Sequence, residues 1–211
     1  MLHSLSKIVS IGATRSGKSY MLKFFQQSYD RVFVIDGNYE YNVQGAIYCT
    51  GYNEFLKLVV SLEAMDKFFF IFRFADHELN EREIVENICR ILFNLGDLML
   101  VIEEAHDYAG THNQDSYFRK IATKGSHKGI GYMLSTQRPS LINKTLLTQC
   151  DYILVFNLTD PNDILYVKSF IGEKAKLVSS LPPRHFIMYH RPSSGPVTVT
   201  QETSEGLIIQ K

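Results

Sequence analysis

Residues 12–19 read Gly12-Ala13-Thr14-Arg15-Ser16-Gly17-Lys18-Ser19 and fit the pattern G-x-x-x-x-G-K-[ST] at every fixed position. The apolar run Ile8-Val9-Ser10-Ile11 before this stretch predicts a strand, and residues 20–27 after it predict a helix. Two glycines allow the backbone to wrap closely around an anion, so that successive N–H groups point inward. The helix adds the positive end of its dipole. The sequence therefore predicts a phosphate-binding loop between a strand and a helix.

All eight residues of this loop are predicted to bind a nucleotide, and two of them contribute specific side-chain chemistry. Lys18 is expected to reach the β- and γ-phosphates and to act in catalysis, and the Ser19 hydroxyl is expected to hold Mg²⁺. The alternative is a glycine turn that only looks like a phosphate loop. The complete pattern between a predicted strand and a predicted helix favours nucleotide binding.

A second chemical element is the run Leu98-Met99-Leu100-Val101-Ile102, which is followed by Glu103 and Glu104. It predicts a strand that delivers two carboxylates beside the phosphate loop. Glu103 would bind the hydration shell of Mg²⁺, and Glu104 would polarise the catalytic water that attacks the γ-phosphate. The alternative is a strand that simply runs into an acidic loop. His106 would either hydrogen-bond these acids or serve a structural role.

Another predicted strand covers residues 130–136 and is followed by Gln137-Arg138-Pro139-Ser140. The proline ends the strand and exposes the preceding side chains at the same edge of the sheet. Gln137 would therefore sense the γ-phosphate or hold the attacking water, which makes it a candidate catalytic residue. Ser140 is expected to cap a helix that runs to residue 147.

The predicted strand at residues 31–35 leads to a third group of polar residues, Asp36, Asn38 and Glu40. Open α/β sheets bind their ligands at the carboxyl ends of the strands, so these residues are candidates for the site. The same residue types are typical of a turn. The sequence leaves both interpretations open.

The remaining pattern predicts an α/β fold in one domain over residues 1–211, with a C-terminal edge strand and tail from about residue 191. Further strands are predicted at 46–49, 68–72, 152–156, 185–189 and 197–200, and helices at 52–62, 81–95, 114–124 and 161–170. Asn80 and Asp160 are expected to cap two of these helices. Residues from Ser204 onward are expected to fray.

The composition of the 211 residues, with 45% hydrophobic and 21% charged residues, is ordinary for a globular domain. No apolar run approaches the roughly 18 residues that span a bilayer, and the N-terminus lacks a signal-peptide core. The three cysteines are odd in number and far apart, which predicts buried, reduced thiols in a protein that is not secreted. A formal net charge of zero argues against a broad basic face for nucleic acid and leaves room for local basic loops.

The sequence resembles the HerA/FtsK superfamily of ring-forming ATPases that translocate DNA, and most of all the genome-packaging ATPases of membrane-containing icosahedral viruses such as the archaeal turreted viruses. The matching stretches are residues 12–19, Val34-Ile35-Asp36 with Glu40-Tyr41, residues 101–106, Ser135-Thr136-Gln137-Arg138-Pro139-Ser140, and residues 160–163. The resemblance implies a RecA-like (ASCE) P-loop NTPase fold with a mainly parallel central sheet flanked by helices. It places the Gln137 strand between the phosphate-loop strand and the acid-bearing strand.

The resemblance also implies ATP and Mg²⁺ at the interfaces of a hexamer that encircles double-stranded DNA. Viral capsid or membrane vertex proteins would anchor the motor, which would act in the host cytoplasm or at the packaging vertex of the virion. The chain shows neither the N-terminal barrel of cellular HerA nor the membrane segments of FtsK, which favours a bare packaging motor.

The sequence departs from the superfamily at two points. The acid on the Mg²⁺ side is usually Asp, and here it is Glu103. An arginine finger often precedes the glutamine strand, but the segment here carries lysines instead. The candidates for a basic residue that enters the neighbouring subunit's site are Arg73, Arg119, Lys124, Lys128, Arg138 and Arg184.

The segment Lys124-Gly125-Ser126-His127-Lys128-Gly129 predicts a basic loop between two glycines. Lys124, His127 and Lys128 are candidates for contacting DNA or the adjacent ATP. A loop that is simply solvated is the alternative.

Three other functions are compatible with a phosphate loop. The first is a cellular HerA-like translocase. The second is a small-molecule kinase, which usually carries an arginine-rich lid and rarely needs the second acid. The third is a nucleotide switch. A GTPase switch would need Asn-Lys-x-Asp, and Asn143-Lys144-Thr145-Leu146 lacks the Asp, so ATP or a poorly selective nucleotide pocket is favoured.

Overall fold

One mainly parallel sheet forms the centre of the structure, a computed structural model that describes residues 6–109, 116–191, 196–203 and 206–210, the last two ranges by their backbone only. The strands are β1 (Lys7–Ile11), β2 (Arg31–Ile35), β3 (Ile47–Thr50), β4 (Phe68–Arg73), β5 (Leu98–Ile102), β6 (Ile130–Thr136), β7 (Tyr152–Val155), β8 (Phe186–His190), β9 (Pro196–Thr203) and β10 (Gly206–Gln210). Their order is β10-β9-β8-β7-β1-β6-β5-β2-β4-β3. The strands from β7 to β3 in this order are parallel, and β8, β9 and β10 are antiparallel to their neighbours.

Helices lie between most of the strands that follow one another along the chain. They are α1 (Lys18–Gln26), α2 (Tyr52–Leu62), α3 (Glu81–Leu95), α4 (Tyr117–Lys124), α5 (Lys144–Thr148) and α6 (Pro161–Ile171). Short 3₁₀ segments lie at Ala105–Asp107, Gly125–Lys128, Pro139–Leu141 and Gly172–Ser180. In the part of the chain that the structure describes, none of the helices combines the length and the apolar character that crossing a bilayer takes.

The sheet is buried on both faces, which is why its central strands are almost wholly apolar. Every residue of β1, β5 and β6 is buried. Alternate residues of one strand join separate core clusters: Val9 packs in the cluster that includes α2, α3, α4 and α6, and Ile8 packs in the cluster that includes α1. The three cysteines are buried as predicted.

The parallel topology brings the polar residues that follow β1, β2, β5 and β6 to a single edge of the sheet. Strand β6 lies between β1 and β5, which confirms the predicted placement of the Gln137 strand. This edge, at the carboxyl ends of the parallel strands, carries the candidate site.

The predicted capping residues correctly locate the ends of two helices. Helix α3 begins after Asn80, whose side chain accepts from the Glu83 N–H, and it ends at Gly96, which has a positive φ of 72°. Helix α6 begins at Pro161, and Asp160 accepts from the N–H groups of Asn162 and Asp163. Helix α4 begins at Tyr117 after Ser116, so the predicted start at residue 114 lies outside the described residues.

The prediction that Ser140 caps a helix to residue 147 is wrong. Pro139 begins a 3₁₀ turn, and α5 begins only at Lys144, where the Asn143 side chain accepts from the Thr145 N–H. The Ser140 hydroxyl instead donates to Asp163 Oδ1 at 2.9 Å. The 3₁₀ segment at Gly172–Ser180 was not predicted.

The C-terminal prediction is also wrong in part. Strand β9 is not at the edge of the sheet, because it pairs with β8 on one side and with β10 on the other. Residues 206–210, which were expected to fray, form the edge strand β10. Their sequence Gly-Leu-Ile-Ile-Gln contains the β-branched residues that favour strands.

Candidate nucleotide-binding site

The phosphate loop is a tight turn between β1 and α1 that is tied to the strands on both sides. The Gly12 N–H donates to the Thr136 carbonyl at 3.1 Å, and the Ala13 N–H donates to the Asn157 carbonyl at 2.7 Å. A Cβ on Gly12 would lie 2.6 Å from Phe156 Cβ, so no larger residue fits there without movement. Gly17 has a φ of 113°, a conformation that side chains disfavour. Both glycines of the pattern are therefore required by the backbone.

Lys18 is almost completely buried under this loop. Its Nζ donates to the Ala13 carbonyl at 3.0 Å and lies 4.0 Å from Glu104 Oε1. Burial lowers the pKa of the ammonium, and the charges of Glu104 and Glu103 oppose this effect. The positive charge of Lys18 thus lies at the loop that is predicted to bind the phosphates.

Glu103 forms a buried cluster with three hydroxyl groups. The Ser19 hydroxyl donates to its Oε2 at 3.1 Å, the Tyr41 hydroxyl donates to its Oε1 at 3.1 Å, and the Ser135 hydroxyl also donates to Oε2. Burial raises the pKa of the Glu103 carboxyl, and these hydrogen bonds oppose the rise. The structure thus joins Ser19 and Glu103, the pair predicted to hold Mg²⁺, and their oxygen atoms are of the kind that Mg²⁺ prefers.

Glu104 and Gln137 form a second pair, which lies beside Lys18. Gln137 Nε2 donates to Glu104 Oε1 at 2.8 Å, and its backbone N–H donates to Oε2 at 3.2 Å. The Thr14 hydroxyl donates to Gln137 Oε1 at 2.7 Å, which orients the amide. His106 Nδ1 lies 3.4 Å from Glu104 Oε2 and 3.2 Å from Thr136 Oγ1, so it contacts both an acid and the strand end.

The arrangement fits a nucleoside triphosphate with its metal. Ser16 Oγ, at the centre of the loop, is a buried polar atom without a hydrogen-bond partner among the described residues. Such a group is costly unless a ligand satisfies it. The Lys18 ammonium and the loop N–H groups can donate hydrogen bonds to an anion, and the carboxylates of Glu104 and Glu103 lie next to Lys18 and Ser19.

Asp36 serves the turn rather than the site. Its fully buried carboxylate accepts from the N–H groups of Glu40 and Tyr41 at 2.8 and 3.1 Å and from Arg73 Nε at 3.0 Å. Arg73 also donates to the Tyr41 carbonyl. The interpretation of Asp36 as turn chemistry is therefore favoured, and Arg73, a candidate for a basic residue acting in a neighbouring subunit, is bound within its own subunit.

The three other arginine candidates lie in three different places. Arg138 is half-exposed, pairs with Asp160 and Asp163 at 3.0 and 3.4 Å, and lines a cleft of about 380 Å³ beside Ala13 and Gln137. Arg119 lines a separate hollow beside α5. Arg184 lies against the phosphate loop of its own subunit, where its N–H donates to the Ser16 carbonyl at 2.8 Å.

Lys124, His127 and Lys128 are exposed, but they lie at the opposite edge of the sheet. The segment forms a 3₁₀ turn whose end pairs with the start of β5, because the Asp97 N–H donates to the Lys128 carbonyl at 2.8 Å. The length of β6 separates it from the phosphate loop by roughly 20 Å. These residues therefore cannot touch the nucleotide bound by their own loop.

Sequence reasoning assigned no role to Ser135 and Tyr41, which hold Glu103, or to Tyr20, which lies beside the loop. Ser135 carried a usable signal, because it is a polar residue near the end of a largely apolar strand. Tyr41 comes from a segment 62 residues away from Glu103, and only the tertiary fold shows their contact.

The sheet and its helices have the RecA-like P-loop NTPase fold, which confirms the predicted fold class. No family model matches the chain. The curated relatives include a probable helicase of Methanocaldococcus jannaschii, 27% identical over 95 residues, which cover 41% of this chain and 18% of the relative. A probable DNA double-strand break repair helicase HerA from the same organism is 29% identical over 99 residues, which cover 46% and 19%. The chain spans less than a fifth of the length of these relatives.

Solved structures extend the likeness over the whole chain. The genome packaging NTPase B204 of Sulfolobus turreted icosahedral virus 2 in complex with AMPPCP superposes with a TM-score of 0.71 at 20% identity, covering 100% of this chain and 99% of B204. B204 of Sulfolobus turreted icosahedral virus, described as a DNA-packaging ATPase, gives a TM-score of 0.62 at 23% identity and covers 98% and 97%. These findings confirm the predicted resemblance to HerA and the viral packaging ATPases.

Proposed function

We propose that this chain is an ATPase that uses hydrolysis to translocate double-stranded DNA and packages a viral genome into a preformed capsid. One observation carries the proposal: side chains from the start of α1 (Lys18 and Ser19), the end of β5 (Glu103 and Glu104) and the end of β6 (Gln137) converge on one phosphate loop. A triphosphate with its metal needs this combination of donors and carboxylates.

Each residue has a defined part in hydrolysis. The loop N–H groups and Lys18 stabilise the negative charge of the phosphates. Ser19 and Glu103 would hold Mg²⁺, which neutralises phosphate oxygens when bound. Glu104 accepts a proton from the attacking water, whose oxygen forms a bond to the γ-phosphorus as the bond to the β-phosphate oxygen breaks. Gln137 fixes the Glu104 carboxylate, and Thr14 fixes Gln137.

The translocation and packaging functions are supported by the relatives. The similar structures are named as genome packaging or DNA-packaging proteins, and the similar sequences are named as helicases. By the same resemblance, six subunits form a ring around the duplex, and Arg138 or another exposed basic residue completes the neighbour's site. A capsid or membrane vertex protein holds the ring at the virion, and the ring assembles in the host cytoplasm.

ATP hydrolysis in the presence and absence of duplex DNA tests the proposal. We expect the rate to rise with duplex DNA, to fall steeply as salt increases, and to vanish in Lys18→Ala. A kinase would transfer phosphate to an added acceptor, and a nucleotide switch would bind ATP tightly with negligible turnover. Either result would contradict the proposal.

A cellular HerA-like translocase is a second candidate function, which the helicase relatives favour. Both candidates predict DNA-stimulated hydrolysis, so a further measurement separates them. A packaging motor supplied with empty capsids and ATP protects DNA from nuclease, and a cellular translocase does not.

A further inference from the structure

The topology defines the direction in which a bound triphosphate runs. Glu104 follows β5 and Gln137 follows β6, and both strands lie on one side of β1. The γ-phosphate therefore lies on that side, where the water-activating groups are. The nucleoside must leave the loop on the other side of β1, next to β7 and β8.

Tyr20 and Arg184 are two side chains that lie on that side, close to the loop. The stretch Leu181-Pro182-Pro183 brings Arg184 against the loop, where its N–H donates to the Ser16 carbonyl at 2.8 Å. Arg184 Cα lies 3.1 Å from the point where Gly17 would carry a Cβ. Its φ of 65° is uncommon for a residue other than glycine, so this loop contact holds a strained backbone. Arg184 is thereby fixed beside the last glycine of the pattern.

Tyr20 is the residue after Ser19, in the first turn of α1, and 46% of its surface is exposed. The Arg184 guanidinium carbon lies 4.9 Å from the centre of its ring. An aromatic ring stacked with a guanidinium group at the exit of a phosphate loop presents flat surfaces of the kind on which nucleic-acid bases stack.

We propose that Tyr20 and Arg184 form the nucleoside platform of this site, with the base extending the stack of ring and guanidinium. The inference rests on the proposed function, because it assigns the base-binding part of the same site. It places Arg184 in its own subunit's site, instead of in a neighbour's. Since every base has a flat face, the platform selects for a nucleotide over free phosphate and discriminates weakly between ATP and GTP.

Comparing two ligands distinguishes binding by this platform from binding by the phosphate loop: ATP, and inorganic triphosphate, which lacks a nucleoside. In calorimetric titrations with Mg²⁺, Tyr20→Ala is expected to weaken ATP binding by about 5- to 150-fold, the range for loss of one base stack. The Tyr20→Ala variant is expected to bind inorganic triphosphate with the affinity of the wild type. Tyr20→Phe keeps the ring and the ATP affinity, and Arg184→Gln weakens ATP in the same way as Tyr20→Ala.

Phe24→Ala is the matched control, because Phe24 lies one turn further along α1 and is 42% exposed. It should leave both affinities unchanged. Thermal unfolding without ligand identifies a variant that does not fold, and Tyr20→Leu, which keeps apolar bulk without a ring, then replaces Tyr20→Ala.

Unchanged ATP affinity in Tyr20→Ala would overturn the platform, and so would an equal loss of ATP and inorganic triphosphate. Both results leave the proposed function intact if the wild type hydrolyses ATP, whereas a wild type that binds neither ligand contradicts the function and the platform together. Mixing Lys18→Ala with Arg184→Gln subunits tests the assignment to one subunit. Recovered hydrolysis would show that Arg184 acts on a neighbour's nucleotide and would overturn the assignment, and no recovery is expected.

Discussion

Lys18 and Glu103 are charged side chains that the fold removes almost entirely from water. Burial lowers the pKa of Lys18 and raises the pKa of Glu103, so in both cases the fold disfavours the charged form that nucleotide binding requires. A bound triphosphate and its metal reverse this effect by supplying the opposite charges. At the scale of single residues, these two buried charges therefore lower the stability of the ligand-free protein, and the same charges are the ones that bind the nucleotide and its metal.

Lys18→Met should make the ligand-free protein more stable by about 1 kcal/mol at pH 7, because methionine fills similar space without a buried charge. The folded-state pKa of Lys18 is below its ordinary value of 10.5, so the charged form destabilises the fold at every pH below that folded-state value. The penalty shrinks as pH rises from the folded-state pKa to 10.5 and is absent above it.

Urea unfolding of the variant and the wild type at pH 7 and above pH 10 measures this difference, with Lys57→Met on the exposed face of α2 as the control. Added ATP should stabilise the wild type and leave Lys18→Met unaffected. A variant less stable than the wild type at pH 7 would show that Lys18 does not destabilise the ligand-free fold.

Gln137→Ala should lower the maximal hydrolysis rate by about 100-fold while ATP still binds, because the Glu104 carboxylate loses the amide that holds it. Thr14→Ala acts through the same amide and should show a smaller loss, which Thr14→Ser restores because serine keeps the hydroxyl. Steady-state kinetics together with ATP titrations distinguish these effects. A change in ATP affinity alone would mean that Gln137 only binds nucleotide.

At the scale of elements, buried polar contacts connect the ends of neighbouring strands. The turn after β2 depends on Asp36, and Arg73 at the end of β4 neutralises that carboxylate at 3.0 Å. Removing one member of such a pair leaves an uncompensated buried charge.

Arg73→Ala should therefore destabilise the protein by about 3–5 kcal/mol, whether or not it forms an oligomer. Arg90→Ala, on the exposed face of α3, is the matched control and should change the unfolding free energy by less than about 0.5 kcal/mol. Denaturant unfolding measures both. A stable Arg73→Ala protein that has lost only hydrolysis would instead identify Arg73 as the residue that enters the neighbouring site.

The elements that were predictable from sequence are those determined by local signals. Helix α3 has an Asn cap, an apolar stripe and a terminal glycine within its own segment. Strand β6 ends at Thr136, three residues before Pro139. Ser140 misled the prediction because its partner, Asp163, lies 23 residues further along the chain. The pairing of β9 with β10 likewise depends on a partner strand and not on the residues of β9 alone.

The candidate site was predictable where a short stretch of sequence holds all the residues that act together, as in the phosphate loop and the two acids. It was not predictable where the contacts are distant. Ser135 and Tyr41, which hold Glu103, lie 32 and 62 residues from it in sequence. Arg184 lies beside the loop only because β7 pairs with β1 and β8 pairs with the other side of β7, a property of the whole sheet.

At the scale of the whole molecule, the phosphate loop and the predicted DNA-contact residues lie at opposite edges of the sheet. The phosphate loop lies at the carboxyl ends of the parallel strands, and the exposed residues Lys124, His127 and Lys128 lie at the amino ends of β5 and β6. A protein of zero net charge that binds DNA must do so through local basic surfaces of this kind.

Replacing Lys124, His127 and Lys128 together by Ala should reduce the stimulation of hydrolysis by duplex DNA and leave the DNA-free rate unchanged, because the segment lies roughly 20 Å from its own phosphate loop. Hydrolysis rates at increasing DNA and salt concentrations measure the effect, with Lys57→Ala as the control. A loss of the DNA-free rate would indicate that the segment acts on the ATP of a neighbouring subunit.

ATP binding and turnover by Glu104→Gln test most directly whether the two acids and the phosphate loop act on one triphosphate. The glutamine keeps the size of the side chain and removes the base that accepts the proton of the attacking water. We expect the variant to bind ATP as tightly as the wild type and to hydrolyse it at least about 100-fold more slowly. Turnover at the wild-type rate would contradict the assignment of Glu104 and, with it, the proposed site.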